Sequence, residues 1–454
     1  MKRKLLLFIA LFLTSIHLLA FDFEKDGIYY NKFVVPNQVA VTSGTIKYSG
    51  SVIIPASVVY NGVTYAVTYI SGSTFSNCPD LTSVTIPNSV TTIGEWAFCN
   101  CSGLTSVLLP SSITKIYNYT FSGCSALSEI TIPNMVTSIG DNAFSDSGLI
   151  SINIPNSVTT IGWDVFYKCL NLKTVNISSS VSSIGYYTFS FCSSLTAINV
   201  DAANQNFSSK DGVLFNKSMT NLIICPCGFS NTYVMPNSVT EINNLAFADC
   251  RKLTSVILSN NLIRIDDDAF VRCIKLTSIT LPESLRLTGY DSFGECTSLT
   301  SITIPAKIEF IGNCSFTGCT NLGSIHVKAS TPLVLDAEYP DVFLGLSTST
   351  CILYVPSGSK TAYENAPQWW YFENIVEEET TGIQTVTADE LGISVYNRKA
   401  VIRNLHEGEL VQIYTTDGRI VFSDKAIEPT LEIQLPINKL YIVKIGAKSA
   451  KIIL

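Results

Sequence analysis

Leu81-Thr-Ser-Val84-Thr-Ile86-Pro87-Asn-Ser-Val90-Thr-Thr-Ile93-Gly94-Glu-Trp-Ala97-Phe98-Cys-Asn-Cys101 is the stretch that decides the fold. Val84 and Ile86 alternate with Ser83 and Thr85, the period-two signature of a half-buried strand, and Leu81 leads in on the apolar side. Pro87 ends that strand because it has no N–H to donate. A second, shorter β-like piece runs from Val90 to Ile93. The Gly94 that follows reads as a residue with φ > 0, and Ala97-Phe98-x-x-Cys101 reads as one helical turn.

The same unit recurs outward in both directions. Phe75, Phe98, Phe121 and Phe144 are 23 residues apart, Phe166 follows at 22 and Phe189 at 23. The ladder resumes with Phe247, Phe270, Phe293 and Phe316, again every 23. The strand-ending proline returns as Pro110, Pro133, Pro155, Pro282 and Pro305. The glycine returns as Gly140, Gly162, Gly185, Gly289 and Gly312, with Asn243 and Asp266 as replacements that tolerate φ > 0, while Tyr117 breaks the rule. One coil cannot bury its own Leu, Ile and Phe, so neighbours must stack. The fold class is therefore mainly β with short helical turns. It comprises a solenoid of about ten to eleven 23-residue coils at residues 70–330, plus a small C-terminal β-sandwich.

The flanks divide the chain further. Residues 1–20 read as a signal peptide: Lys2, Arg3 and Lys4, an apolar run from Leu5 to Leu13, then small and polar residues ending at Ala20. That run is shorter than the about 20 residues a membrane span needs. Residues 21–69, with the turn Asn61-Gly62, suit an N-terminal β cap. Residues 331–379, with Trp369, Trp370 and Phe372, suit an aromatic C-terminal cap. The 58-residue step from Phe189 to Phe247 leaves an insert at about 201–233, read as a small hairpin budding from the solenoid, either functional or simply tolerated. A linker near Glu377–Gly382 precedes residues 382–454, where Val411–Val421 reads as strand, Asp417-Gly418 turn and strand.

Composition excludes some functions. The chain has 29 Lys and Arg. Cleaving the leader would take three of them and no acid, leaving 26 against 36 Asp and Glu, a balance of −10. No basic stripe is present to meet phosphates, so nucleic acid is not an expected partner. His326 and His406 are the only histidines after the leader, and no phosphate-binding or metalloprotease motif occurs, so no catalytic constellation, cofactor or metal site is expected. The Asp266-Asp267-Asp268 run reads as a solvated turn, with weak calcium binding as the alternative.

Nine of ten units place Cys three residues after the ladder Phe, from Cys78 to Cys319, with Ser147 in the shortened unit. Stacked equivalents point the same way, which favours a ladder of reduced buried thiols over the disulfides an exported chain invites. Cys99 with Cys101 and Cys225 with Cys227 lie about 25 Å apart in such a stack, too far for one zinc.

Two surfaces are candidates for binding. Outward strand positions carry Ser, Thr and Asn, among them Ser83, Thr85, Asn153, Asn176 and Asn199. Near the glycine turn, Trp96, Tyr117, Tyr119, Trp163, Tyr186, Tyr187 and Tyr290 recur along one edge. Such aromatics serve protein interfaces or sugar stacking, or else pack on the neighbouring turn.

The unit at residues 81–101 resembles the BspA-like (Treponema-type) leucine-rich repeat family of bacterial surface antigens. The resemblance implies a surface-displayed solenoid, no enzyme, and adhesion to host matrix proteins, host cells or other bacteria. The C-terminal run Leu435–Gly446, with Lys448 and Lys451, resembles a type IX secretion sorting domain, although Lys439-Leu440 stands where that family has glycine. A small Ig-like accessory domain is the alternative. Expected partners are a protein ligand first and a glycan second. The expected location is secreted or on the outer surface, with no membrane span after the leader.

Overall fold

The computed structural model describes residues 21–335, 342–378, 384–385, 388, 391–396, 399–416, 420–436, 439–446 and 448–453. The leader at residues 1–20, the Asp417-Gly418 turn and most of the linker lie outside the described residues. The chain divides into two compact units, Met1–Val355 with Thr361–Val376, and Pro356–Lys360 with Glu377–Leu454.

The first unit is a β-solenoid of about 13 turns of roughly 23 residues. The sequence count of ten to eleven falls short because turns without a ladder Phe also stack. Tyr48 continues the ring ladder ahead of Phe75 at 4.6 Å, and Phe343 continues it after Phe316 at 6.1 Å. The first strands of each turn stack in parallel with their outward residues in register, Ser278 beside Ser301 and Ser301 beside Ser324. The two-residue second strands, such as Ser138–Ile139 and Thr160–Ile161, form their own parallel ladder. Leu81, Val84, Ile86, Ile93 and Phe98 are buried, while Thr85 is exposed, as the alternation demands.

Three expectations need correction. First, none of Gly94, Gly140, Gly162, Gly185, Gly289 and Gly312 has positive φ. The glycine is there for space: a Cβ on Gly94 would lie 2.6 Å from the backbone nitrogen of Gly72 on the adjacent turn. Tyr117 occupies this position in one turn. There the second-strand ladder breaks, Thr92–Ile93 pairing only backwards and Lys115–Ile116 starting a new sheet. Asn243 and Asp266, being smaller than tyrosine, keep their bonds to Leu222 and Ile242.

Second, the Ala-Phe-x-x-Cys piece is not a continuous helical turn. Cys99 donates to Trp96 and Cys101 to Phe98, but the residues two before and two after each Phe are left-handed, here Trp96 at φ 60° and Asn100 at φ 59°. Left-handed residues cannot propagate an α-helix.

Third, the insert does not bud outward. Phe207–Lys210 and Val213–Asn216 form an antiparallel hairpin, and Asn221–Ile224 then joins the second-strand ladder in parallel with Glu241–Ile242. Val213, Leu214, Phe215, Leu222 and Cys225 are buried. The insert is thus an irregular turn inside the stack. The buried residues on its two sides form separate clusters, one ending at Leu214 and one beginning at Val213.

The ends are capped. A five-strand path of Phe23–Lys25, Ile28–Lys32, Gln38–Thr42, Val63–Ile70 and Ser57–Tyr60 closes the N-terminal side. Its Asn61-Gly62 hairpin turn is left-handed at both residues, as that sequence favours. At the other end Trp369 and Phe372 pack on Phe343 at 5.1 and 4.9 Å, whereas Trp370 is exposed.

In the second unit, strands Leu410–Thr415, Ile420–Lys425, Leu440–Ile445, Lys448–Ile453 and Gln384–Thr385 make one sheet. Ile393–Tyr396, Lys399–Ile402 and Leu431–Gln434 make another. Their buried faces share one core including Val411, Ile433, Tyr441 and Val443.

Candidate functional site

The cysteine spine is structural. Most of the thiols donate to the carbonyl of the ladder Phe one turn back: Cys101 to Phe75 at 2.9 Å, Cys124 to Phe98 at 3.1 Å, Cys192 to Phe166 at 3.0 Å and Cys296 to Phe270 at 3.2 Å. Cys78, at the start of the spine, and Cys250, just after the insert, reach other carbonyls, those of Ser76 and of Cys225 and Pro226. Burial pushes the Cys101 thiol up to about 12 and Cys169 to about 11, so both stay protonated donors. Cys314 alone of the 14 is half exposed, the others being buried and unpaired. Titration with a small aromatic disulfide reagent is therefore expected to modify Cys314 first, with all 14 reacting only in denaturant. Fast reaction of several thiols in the native protein would contradict the closed spine.

The Ser/Thr/Asn strand surface uses much of its hydrogen-bonding capacity on itself. Asn199 donates to Asn176 at 2.9 Å, Asn176 to Asn153 at 2.5 Å, and Ser83 to Ser51 at 2.8 Å. Thr105 and Thr137 bond the threonine carbonyls one turn back, of Thr82 and Thr114. His326 contacts Ser324 at 3.2 Å and stacks on Tyr354 at 4.5 Å.

The aromatic edge is different. Trp96, Trp163, Tyr186, Tyr187 and Tyr290 are exposed, and Tyr117 and Tyr119 are half-buried. Trp96 stacks flat on Tyr119 at 3.8 Å, and Trp163 meets Tyr186 edge-on at 5.6 Å. These residues occupy neighbouring columns of the turns rather than one pocket. Trp96, Tyr119 and Tyr187 take the left-handed position that Asn142, Asp164, Asp268 and Asp291 fill in four other turns, and Ser73, Leu245 and Cys314 in the rest. A bulky side chain there is strained, whereas Asn and Asp tolerate it. Acidic side chains share the edge: Asp141 Oδ1 accepts from Trp163 N and Asp267 Oδ1 from Tyr290 N, each at 2.8 Å. Asp291 is raised to about 6, first by burial, then by Asp268 and Glu295, with Arg272 opposing.

The insert adds a feature that sequence reasoning missed. A cleft of about 240 Å³ opens beside Tyr186 and Tyr187, lined further by Ile184, Phe207, Ile223, Ile224, Asn244 and Leu245. Arg272 braces the region, pairing with the buried Asp249 at 2.8 Å and lying 5.0 Å over the Phe191 ring from the turn before the insert. The 58-residue gap in the Phe ladder was the available signal, but its residues give no hint of a cleft. Among the described residues, no group of three or more His, Cys, Asp or Glu could hold a metal ion, and no helix is long and apolar enough to cross a membrane.

The comparisons with known proteins agree with this architecture. A leucine-rich repeat protein from Bacteroides ovatus has 26% identity, covers 79% of this chain and 100% of its own, and has a TM-score of 0.52. A leucine rich cell surface protein from Faecalibacterium prausnitzii has 26% identity, covers 78% and 97%, and has a TM-score of 0.59. The pneumococcal vaccine antigen PcpA, at 21% identity with 78% and 98% covered and a TM-score of 0.60, shares the fold. No curated protein matches the chain. The BspA type leucine rich repeat region matches at residues 62–173, 114–233 and 224–334, and on those residues the chain belongs to the BspA type leucine rich repeat family.

Proposed function

We propose that the chain is a non-enzymatic binding scaffold, carried to the cell surface, that recognises a protein ligand through the solenoid. The observation that carries this reading is the aromatic edge. Three large rings stand exposed or half-exposed at left-handed positions where Asn or Asp costs less; Trp96 and Tyr119 recover part of that strain by stacking on each other, yet Trp96 and Tyr187 keep faces open to solvent. Exposed Trp and Tyr are the side chains that anchor protein interfaces. The likeness to a leucine rich cell surface protein supports display outside the cell. Residues 1–20 as leader and residues 382–454 as sorting domain complete the proposal.

The test is binding of residues 21–376 to matrix proteins, bacterial surface proteins and glycans, with residues 382–454 as control. Saturable binding of a protein by the solenoid alone supports the reading. Trp96→Ala, Trp163→Ala and Tyr187→Ala combined are expected to weaken that binding at least tenfold, about 1.4 kcal/mol or more. Unchanged affinity would move the site to the Ser/Thr face, and glycan binding without protein binding would overturn the protein reading.

A further inference from the structure

The turn before the insert lacks a follower along part of its length. In regular turns the carbonyls of Thr159 and Ile161 are taken by the next turn, through Ser182 and Gly185. Their equivalents one turn on, Ser182 and Ile184, have no such taker, because Ser183–Ile184 pairs only backwards and ends its sheet. The donors behave alike. Asp164 N reaches Tyr186 O and Phe166 N reaches Thr188 O, but Tyr187 N and Phe189 N find no acceptor in the insert. Ile184 is half exposed where Ile161 and Ile242 are buried. The open main chain borders the 240 Å³ cleft.

We propose that this gap is a docking site for an extended polypeptide segment of a partner, added beside Ser182–Ile184 as the missing strand, with one large apolar side chain in the cleft. The proposal rests on the protein-binding reading above and names its site. Main-chain acceptors and donors left open along one edge call for a ligand with both at peptide spacing, which is strand addition. A mouth formed by Tyr186, Phe207, Ile223 and Leu245 suits an aromatic or leucine anchor of the partner. Acidic residues stand on the turns flanking the cleft: Asp164 N donates to Tyr186 O, and Leu245 N donates to Asp267 O. Asp141 adds to the charge at Asp164 and Asp268 to that at Asp267, while Arg272 offsets part of it on the Asp268 side, so the balance favours Lys or Arg beside the anchor, most strongly on the Asp164 side.

The test uses the full chain and an oriented library of fluorescein-labelled nonapeptides with a fixed central Trp, Phe or Leu. Selected peptides are expected to be Lys- or Arg-flanked and to bind saturably. Methylating alternate backbone nitrogens of the best peptide should weaken binding at least tenfold. Asn244→Trp, at an exposed position on the mouth, should weaken it at least fivefold, as should Tyr186→Ala, while the thermal midpoint of both variants holds. Absence of saturable peptide binding, indifference to N-methylation, self-association of the chain through this edge, or competition by free hexoses would overturn the proposal. A protein ligand that binds Asn244→Trp with unchanged affinity would overturn this site and leave the general reading standing. A chain that binds peptides here and no folded protein would do the reverse.

Discussion

Replacing Gly312 with alanine is expected to destabilise the solenoid by about 3 kcal/mol or more, while the same change at Gly323 leaves stability within about 0.5 kcal/mol. Both glycines belong to neighbouring turns of one array, so length, composition and position along the stack are matched. A Cβ on Gly312 would lie 2.3 Å from the Gly289 carbonyl carbon and 2.4 Å from Tyr290 N. Those are backbone atoms, so no rotamer change relieves the clash and the turns must separate. Separation lengthens the bond from Gly312 N to Thr288 O, now 2.8 Å, and disturbs the pairing of Phe310–Ile311 with Leu287–Thr288. A Cβ on Gly323 meets nothing nearer than 3.8 Å. Overpacking costs about 1–3 kcal/mol and a lost hydrogen bond about 1 kcal/mol more. Urea unfolding of the two variants checks this through the midpoint at constant slope. Equal midpoints would show that the glycine is retained for something other than close approach.

That glycine also marks where sequence reading stops. The repeat period, the inward Leu, Val and Ile, the Phe ladder and the thiol spine are legible because each recurs at a fixed spacing. Recurrence at one spacing in a stack means contact between equivalents. The role of Gly94 was misread because conformational freedom and lack of a side chain leave the same trace in a sequence. Only the approach of the adjacent turn separates them. The insert was misread for another reason. Val213, Leu214 and Phe215 look like any short hairpin strand, and nothing local says that they replace part of a turn in the core. The seven edge residues were legible as adjacent columns, since Trp96, Tyr119 and Tyr187 share one repeat position and Trp163, Tyr186 and Tyr290 the one before it. The cleft was not, because Ile184, Phe207 and Leu245 come from three segments that meet only where the periodicity fails.

The second large effect is expected at Phe270→Ala, with a loss of about 3–5 kcal/mol against about 1 kcal/mol or less for Phe33→Ala. Phe270 is fully buried and stacks on Phe247 at 4.7 Å and Phe293 at 5.5 Å with its ring nearly parallel to both, whereas Phe33 is 40% exposed. Deleting the ring removes its burial and two aromatic contacts, and it leaves a cavity between turns that rigid strand spacing keeps from closing. In a nearest-neighbour array such damage does not spread evenly. The two buried clusters already meet at the insert rather than forming one continuous ladder of rings. Phe270→Ala should therefore weaken the block after the insert first. Native-state hydrogen exchange would show this directly: amides of Leu253–Ile257 and Ser278–Thr280 should lose protection while those of Ser151–Asn153 and Thr174–Ile177 keep it. Uniform loss of protection along all four strands would mean that the insert couples the two blocks into one cooperative unit. In that case Arg272, pairing with Asp249 and lying over Phe191, carries part of that coupling beside main-chain bonds such as Gly228 N to Leu195 O, and Arg272→Ala should weaken it without abolishing it.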